Sequence, residues 1–194
     1  MKNIQESAEF FKEIGPGIAS QLSETLTRLT SEEIRVEFSS VRTFEQSRVF
    51  VGVDERCFGT YMDFKKTGNN LEGIVAVIFS VSSSKIMIEL LLKRYLGGLD
   101  MEKVDNEMRL SIFKEAANII ASTYIAGVAN ALRIKIKTEV PKFACFDSVD
   151  MIRPTLLRSY SELDSLVSIG EFKIYRESKD LPSLKGALLL FFSR

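Results

Sequence analysis

Histidine is absent from this chain, cysteine occurs only twice, and no charge of either sign is in excess, with lysine plus arginine and aspartate plus glutamate at 26 each. Each shortage removes a class of function. Without imidazole there is no histidine-dependent triad and no histidine acid–base step. Cys57 and Cys145 have no CxxC spacing, so zinc has no ligand set, and the sequence offers no cofactor or metal site of its own. A net charge of zero gives no argument for nucleic acid or an anionic membrane surface as partner. The opening MKNIQESAEFF has no apolar core of signal-peptide length, and no run approaches about 18 uninterrupted apolar residues. That combination reads as a cytoplasmic chain, with both thiols reduced and buried as small apolar side chains.

What is present suits a folded core. An apolar content of 45% over 194 residues supports one domain, or two fused halves sharing a core. The most informative stretch runs from Asp105 to Pro141. Asp105 and Asn106 are N-cap types, and after them only Gly127 weakens a helix of about seven turns before Pro141. On a 3.6-residue period Ser111, Glu115, Asn118 and Ser122 fall on one polar stripe. Phe113, Ala116, Ala117, Ile120, Tyr124, Val128 and Ala131 fall opposite, while Ile112, Ile119 and Ala126 flank the stripe. A glutamate and an asparagine at i, i+3 are, taken alone, what any solvated helix face carries.

The rest of the chain alternates between helical and strand patterns. Asn3 to Thr30 has helical periodicity in two parts around Gly15-Pro16-Gly17, where a kink or a fresh helix start is expected. Strands are expected at Ile34–Phe38, Arg48–Val53, Phe58–Phe64 and the continuous apolar run Leu71–Val81. Ser82-Ser83-Ser84 is expected to cap a helix over Lys85–Leu96, which stops at Gly97-Gly98. After the central helix come strand patterns at Ile134–Val140, Phe143–Phe146, Ser165–Arg176 and Leu184–Ser193. Met151 to Asp164 carries no clear pattern, leaving loop, short helix and partner-binding element open.

The two halves resemble each other. A shift of 102 lays FKEIGPGIASQL over FKEAANIIASTY and Ile34–Ser39 over Ile136–Pro141 without a gap. A shift of 113 lays Leu71–Ser80 over Leu184–Ser193. A repeat this long is not a solenoid unit. It predicts an α+β fold of duplicated helix-plus-strands half-domains, about 1–98 and 102–194, within a single domain spanning 1–194. The halves would be related by a pseudo-two-fold, their strands joined in one largely antiparallel sheet with long helices packed on it.

Ser111-x3-Glu115-x2-Asn118 followed after 22 residues by Pro141 resembles the signature of the CheC, CheX and FliY family of chemotaxis phosphatases. All four fixed positions match. The family commonly has Ile-Gly where this chain has Ala116-Ala117, at free positions of the motif. The Thr123-Tyr124 pair, the small-residue run to Ala131 and the internal duplication also look like CheC, so the likeness spans nearly the whole chain. The resemblance implies a phosphatase of the phosphorylated response regulator CheY. Asn118 would orient the attacking water and Glu115 would pair with the regulator's active-site lysine, with Ser111 and Pro141 in supporting positions. It implies no cofactor beyond the Mg²⁺ carried by CheY. The deamidase CheD is a further candidate partner, and monomer and homodimer both stay open.

In the first repeat Glu9, Glu13, Pro16 and Ser39 stand where the second has Ser111, Glu115, Asn118 and Pro141. Proline has no carboxamide, so Glu13 and Pro16 form a degenerate first site, and one working site is expected. The alternative reading is an interaction module of the chemotaxis system that binds CheY or CheD with little or no catalysis.

Overall fold

Apolar residues at helical spacing build the first layer. In the computed structural model, which describes residues 4–42, 56–67, 72–96, 104–147, 168–176 and 184–192, helix α1 spans Ile4–Thr30. Phe11, Ile18, Leu22 and Leu26 lie one or two turns apart and are buried. Helix α2 spans Val81–Leu96 and buries Met87, Leu90 and Leu91. Helix α3, Asn106–Ala131, begins as its sequence predicts, with the Asp105 carboxylate accepting the Met108 amide at 2.7 Å. Small residues on α3 let α1 approach it closely. A Cβ on Gly127 would stand 2.9 Å from Cγ1 of Ile18.

Among the described residues seven strands, β1 (Ile34–Arg42), β2 (Cys57–Lys66), β3 (Glu72–Ser80), β4 (Ile136–Thr138), β5 (Lys142–Phe146), β6 (Ser168–Arg176) and β7 (Leu184–Phe192), form one sheet. The order is β1-β6-β7-β3-β2-β4, with β5 also pairing β2, and every pairing is antiparallel. The fold is therefore α+β, as expected. Val75, Val77 and Phe79 of β3, with Met62 and Phe64 of β2 and Leu188 and Leu190 of β7, pack with the three helices into one core. Ile74, Ile78, Leu189 and Phe191, which point to the other face of the sheet, are buried as well. Burial on both faces is why β3 reads as an unbroken apolar run and not an alternating one.

Helix α1 is fastened to β1 by hydroxyls. Thr27 Oγ1 accepts the Ile34 amide at 3.1 Å and Ser23 Oγ accepts the Val36 amide at 2.8 Å. These are N–H groups on the edge strand that would otherwise be unpaired in the sheet.

Several boundaries differ from the sequence reading. Of the two alternatives at Pro16, a kink or a fresh start, the fresh start is not taken: helix α1 runs continuously through it, because its apolar stripe stays on one side and packing outweighs the lost bond. Helix α2 starts at Val81, and its cap is Ser80, whose hydroxyl accepts the Ser83 amide at 3.2 Å; Ser82, Ser83 and Ser84 lie inside the first turn. The strand at Ile134–Val140 shortens to β4, and Ala131 is exposed rather than buried. Cys57 is buried but Cys145 is exposed, so only one thiol sits in the core. The predicted strand at Arg48–Val53 and the segment Met151 to Asp164 lie outside the described residues.

Candidate functional site

The polar stripe of α3 stays in solvent because the opposite face is fully used. Phe113, Ala116, Ala117, Ile120, Tyr124 and Val128 are buried, whereas Ser111, Glu115 and Ser122 are exposed and Asn118 is half-buried. A helix of 26 residues with an occupied N-cap holds these side chains on a rigid rod. Glu115 has no ion-pair partner among the described residues. Ile112 and Ile119, both half-buried, form an aliphatic rim along the stripe.

The other flank faces the edge of the sheet. Lys114 Nζ lies 5.0 Å from the centre of the Phe143 ring on β5, so the side of α3 that carries Lys114 looks toward that strand. Asn118 follows Lys114 by one turn on the same flank. Its Oδ1 is buried and has no hydrogen-bond partner among the described residues. Pro141, half-buried, immediately precedes β5. The corner on which it stands is held from both sides by one residue of β2. The Asp63 carbonyl accepts the Glu139 amide at 2.8 Å, and the Asp63 carboxylate binds Lys142 Nζ at 2.8 Å. Asp63 also holds the Lys142 ammonium above the ordinary lysine range, mainly through this hydrogen bond.

Thus Ser111, Glu115 and Asn118 form a line on α3, while Pro141 belongs to the neighbouring corner of the sheet. Glu13 and Pro16 occupy an exposed row on α1 together with Glu9 and Ser20. Two exposed apolar side chains were not singled out by sequence. Met108, 47% exposed, stands one turn before Ser111 and Ile112, and Val140, 81% exposed, precedes Pro141. Helical spacing from Ser111 would have found Met108; nothing in the local pattern marks Val140. No group of three or more potential metal-ligating residues occurs among the described residues. Nor is any helix there long and apolar enough to cross a membrane.

The arrangement offers a carboxylate and a carboxamide one turn apart, on an aliphatic rim, with the hydroxyls of Ser111 and Ser122 in the same row. It can dock, orient and hydrogen-bond a group supplied by a partner.

No protein-family model matches the sequence. Solved structures do match in fold. FliY of Thermotoga maritima is 21% identical, with a TM-score of 0.70 over 97% of this chain and 91% of its own. FliM of H. pylori, in a FliG–FliM complex, is 10% identical, with a TM-score of 0.60 over 97% and 93%. CheX of Borrelia burgdorferi, in a complex with CheY, BeF3 and Mg²⁺, is 10% identical, with a TM-score of 0.50 over 91% and 96%. The fold implied by the sequence resemblance, that of CheX and FliY, is the fold the chain has.

Proposed function

We propose that this chain is a phosphatase of a phosphorylated CheY-type response regulator, in the manner of the CheC, CheX and FliY family, with its working face on α3. The observation that carries the reading is the line of exposed Ser111 and Glu115 with half-buried Asn118, and Pro141 on the adjoining corner, in a fold shared with FliY and CheX. The regulator brings the electrophile, an aspartyl phosphate, and its own Mg²⁺. Hydrolysis then needs a water held in line with the scissile phosphorus–oxygen bond, since phosphoryl transfer depends mostly on orientation and electrostatics. The water oxygen attacks phosphorus, the acyl–oxygen bond to phosphorus breaks, and the aspartate carboxylate and inorganic phosphate leave. Asn118 suits the water-orienting role because its oxygen accepts a proton bond without adding a negative charge beside the phosphoryl group. Glu115 pairs with the regulator's active-site lysine and fixes the docked geometry. Ile112, Ile119 and Met108 provide the contact surface around them.

Under this proposal the chain is one domain made of two repeats. Supporting this, α3 starts 102 residues after α1, β4 starts 102 after β1, and the left-handed residues that close the two long helices, Ser31 (φ 57°) and Arg133 (φ 54°), are also 102 apart. The strand order reads the same from either end once β1, β2 and β3 are exchanged with β4/β5, β6 and β7.

The second reading, an interaction module binding CheY or CheD, gains weight from the enclosed Asn118 oxygen, which in this conformation is not presented to a water. Phosphate release from acetyl-phosphate-labelled CheY separates the two. The phosphatase reading expects strong acceleration by wild type, lowered about 10²–10³-fold in Asn118→Ala. Glu115→Ala should raise the apparent KM as well as lower the rate. Binding of CheY with no acceleration by wild type would establish the module instead.

A further inference from the structure

Between α1 and β1 lies a cavity of about 700 Å³, bordered by Lys12, Pro16 and Ala19 of the helix and by residues 35–38 of the strand. Successive side chains of a strand point to opposite faces, so a cavity that meets four residues in a row meets the strand's main-chain edge. Among the described residues β1 stands at the end of the strand order, with β6 on its one paired side. Its outward amides recur at every second residue, and two of them are taken, Ile34 by Thr27 and Val36 by Ser23. One turn further along α1 the series of hydroxyls runs out at Ala19. The next outward amide, that of Phe38, is therefore left without a side-chain partner among the described residues, where the strand borders the cavity.

The helix wall supplies the complementary group. Pro16 has no N–H, so the Lys12 carbonyl lacks the helical donor it would normally have four residues on. A donor on the strand and an acceptor on the helix are what an extended main chain pairs with, as in strand addition to a sheet edge. Charge gives the sign of the occupant. The Lys12 ammonium is exposed and has no ion pair among the described residues. Arg35 is engaged by Glu33 at 3.0 Å, and Glu37, alternating with Val36 and Phe38, is directed to the other face of the sheet. Phe11 and Phe38 add apolar surface.

We propose that this groove binds an extended acidic segment of a partner protein, pairing its main chain with Phe38 N–H and the Lys12 carbonyl and placing a carboxylate on Lys12. The position is that of the degenerate first site, so Pro16, which removes the carboxamide, helps to shape a peptide groove in its place. The proposal does not depend on whether α3 is catalytic.

The test uses the full chain and octapeptides with Asp and Val in alternation, against the same peptides with Lys for Asp. Fluorescence anisotropy should show the Asp peptides binding about tenfold or more tightly than the Lys peptides. Amide hydrogen exchange should show the Phe38 amide exchanging faster than those of Ile34 and Val36 in the free chain, and gaining protection with peptide. Ala19→Ser extends the row of hydroxyls to Phe38 and should weaken binding about tenfold. Lys12→Glu, at an exposed position, should abolish the preference for acidic peptides whatever Ala19→Ser does to folding. Absence of peptide binding, or binding indifferent to both variants, overturns the proposal. Protection of Phe38 that rises with protein concentration alone overturns it too, in favour of a second copy on this edge.

Discussion

At Asn118 the chain keeps a carboxamide oxygen buried without a partner, in a helix where alanine would be the better former. An unsatisfied buried acceptor costs about 1–3 kcal/mol, so its presence on a helix face otherwise open to solvent is a sign of a residue kept for something other than folding. Asn118→Ala should therefore raise the unfolding midpoint, or leave it unchanged, while stimulated dephosphorylation is lost; thermal melts beside phosphate-release assays check both halves. A lower midpoint would mean that the carboxamide is a structural group. The sequence located this residue through the motif and its helical stripe, but the enclosure of one atom depends on tertiary packing, which no local pattern carries. The neighbouring corner of β5 and β2 gives a pH prediction. Lys142 has its pKa raised above the unfolded value of about 10.4 by Asp63, so its contribution is fully present below that value and is lost as pH rises through the folded pKa. The lysine is half exposed, and the pair should contribute no more than about 1 kcal/mol. Urea titrations of wild type and Lys142→Met should differ by that amount at pH 8 and converge as pH rises through the raised folded pKa.

The contact between α1 and α3 depends on a residue that the sequence reading counted as a weakness. Gly127 lowers helix propensity, yet a side chain there would meet Ile18 Cγ1 at 2.9 Å and Gln21 Oε1 at 3.2 Å, so the two long helices lie side by side because it is small. Gly17, on α1, has nothing within 4 Å of such a position. The two glycines should respond oppositely. Gly127→Val should destabilise by about 1–3 kcal/mol through overpacking. Gly17→Ala should stabilise by about 0.5–1 kcal/mol through backbone entropy alone. Equal shifts in chemical-denaturation midpoint for both would show that the helices do not approach at Gly127. The elements themselves were largely legible, since α3, β2, β3, β5, β6 and β7 follow from period and capping. The start of α2 was not, because four serines among the five residues 80–84 offer several caps and only the turn out of β3 selects Ser80. The continuity of α1 through Pro16 was not legible either, because the packing of Phe11, Ile18 and Leu22 on the sheet decides it, and local propensity points the other way.

For the whole molecule the proposed repeat draws on two shifts visible in sequence and on elements that start 102 residues apart, α1 and α3, β1 and β4. The register of the central strand pair is consistent with a local dyad. Gly73 pairs Phe192 and Phe79 pairs Gly186, and adding 113 to one partner of either pair while subtracting it from the other gives the other pair. What the sequence could not show is that β1 joins β6 and β5 joins β2, so that strands from before and after α3 interleave in one sheet. If the halves are equivalent in this way, α1 presents its Glu13 row as α3 presents its Glu115 row, and the first site lacks chiefly the carboxamide that Pro16 replaces. Pro16→Asn should then do two things. It returns an N–H to the Lys12 carbonyl, removing a helix-interior proline that elsewhere costs about 3 kcal/mol, so α1 should gain stability. It also sets an asparagine three residues after Glu13, on the exposed row. In the double variant Asn118→Ala/Pro16→Asn, with the α3 site disabled, phosphate release from CheY should recover above the Asn118→Ala background. Recovery should be partial, because Glu9 and Ser39 still stand where Ser111 and Pro141 support the second site. A stabilised double variant with no recovery would mean that the carboxamide alone does not make the site and that the corner held by Asp63 is required. An unstable one would mean that Pro16 shapes α1 in a way its counterpart on α3 does not.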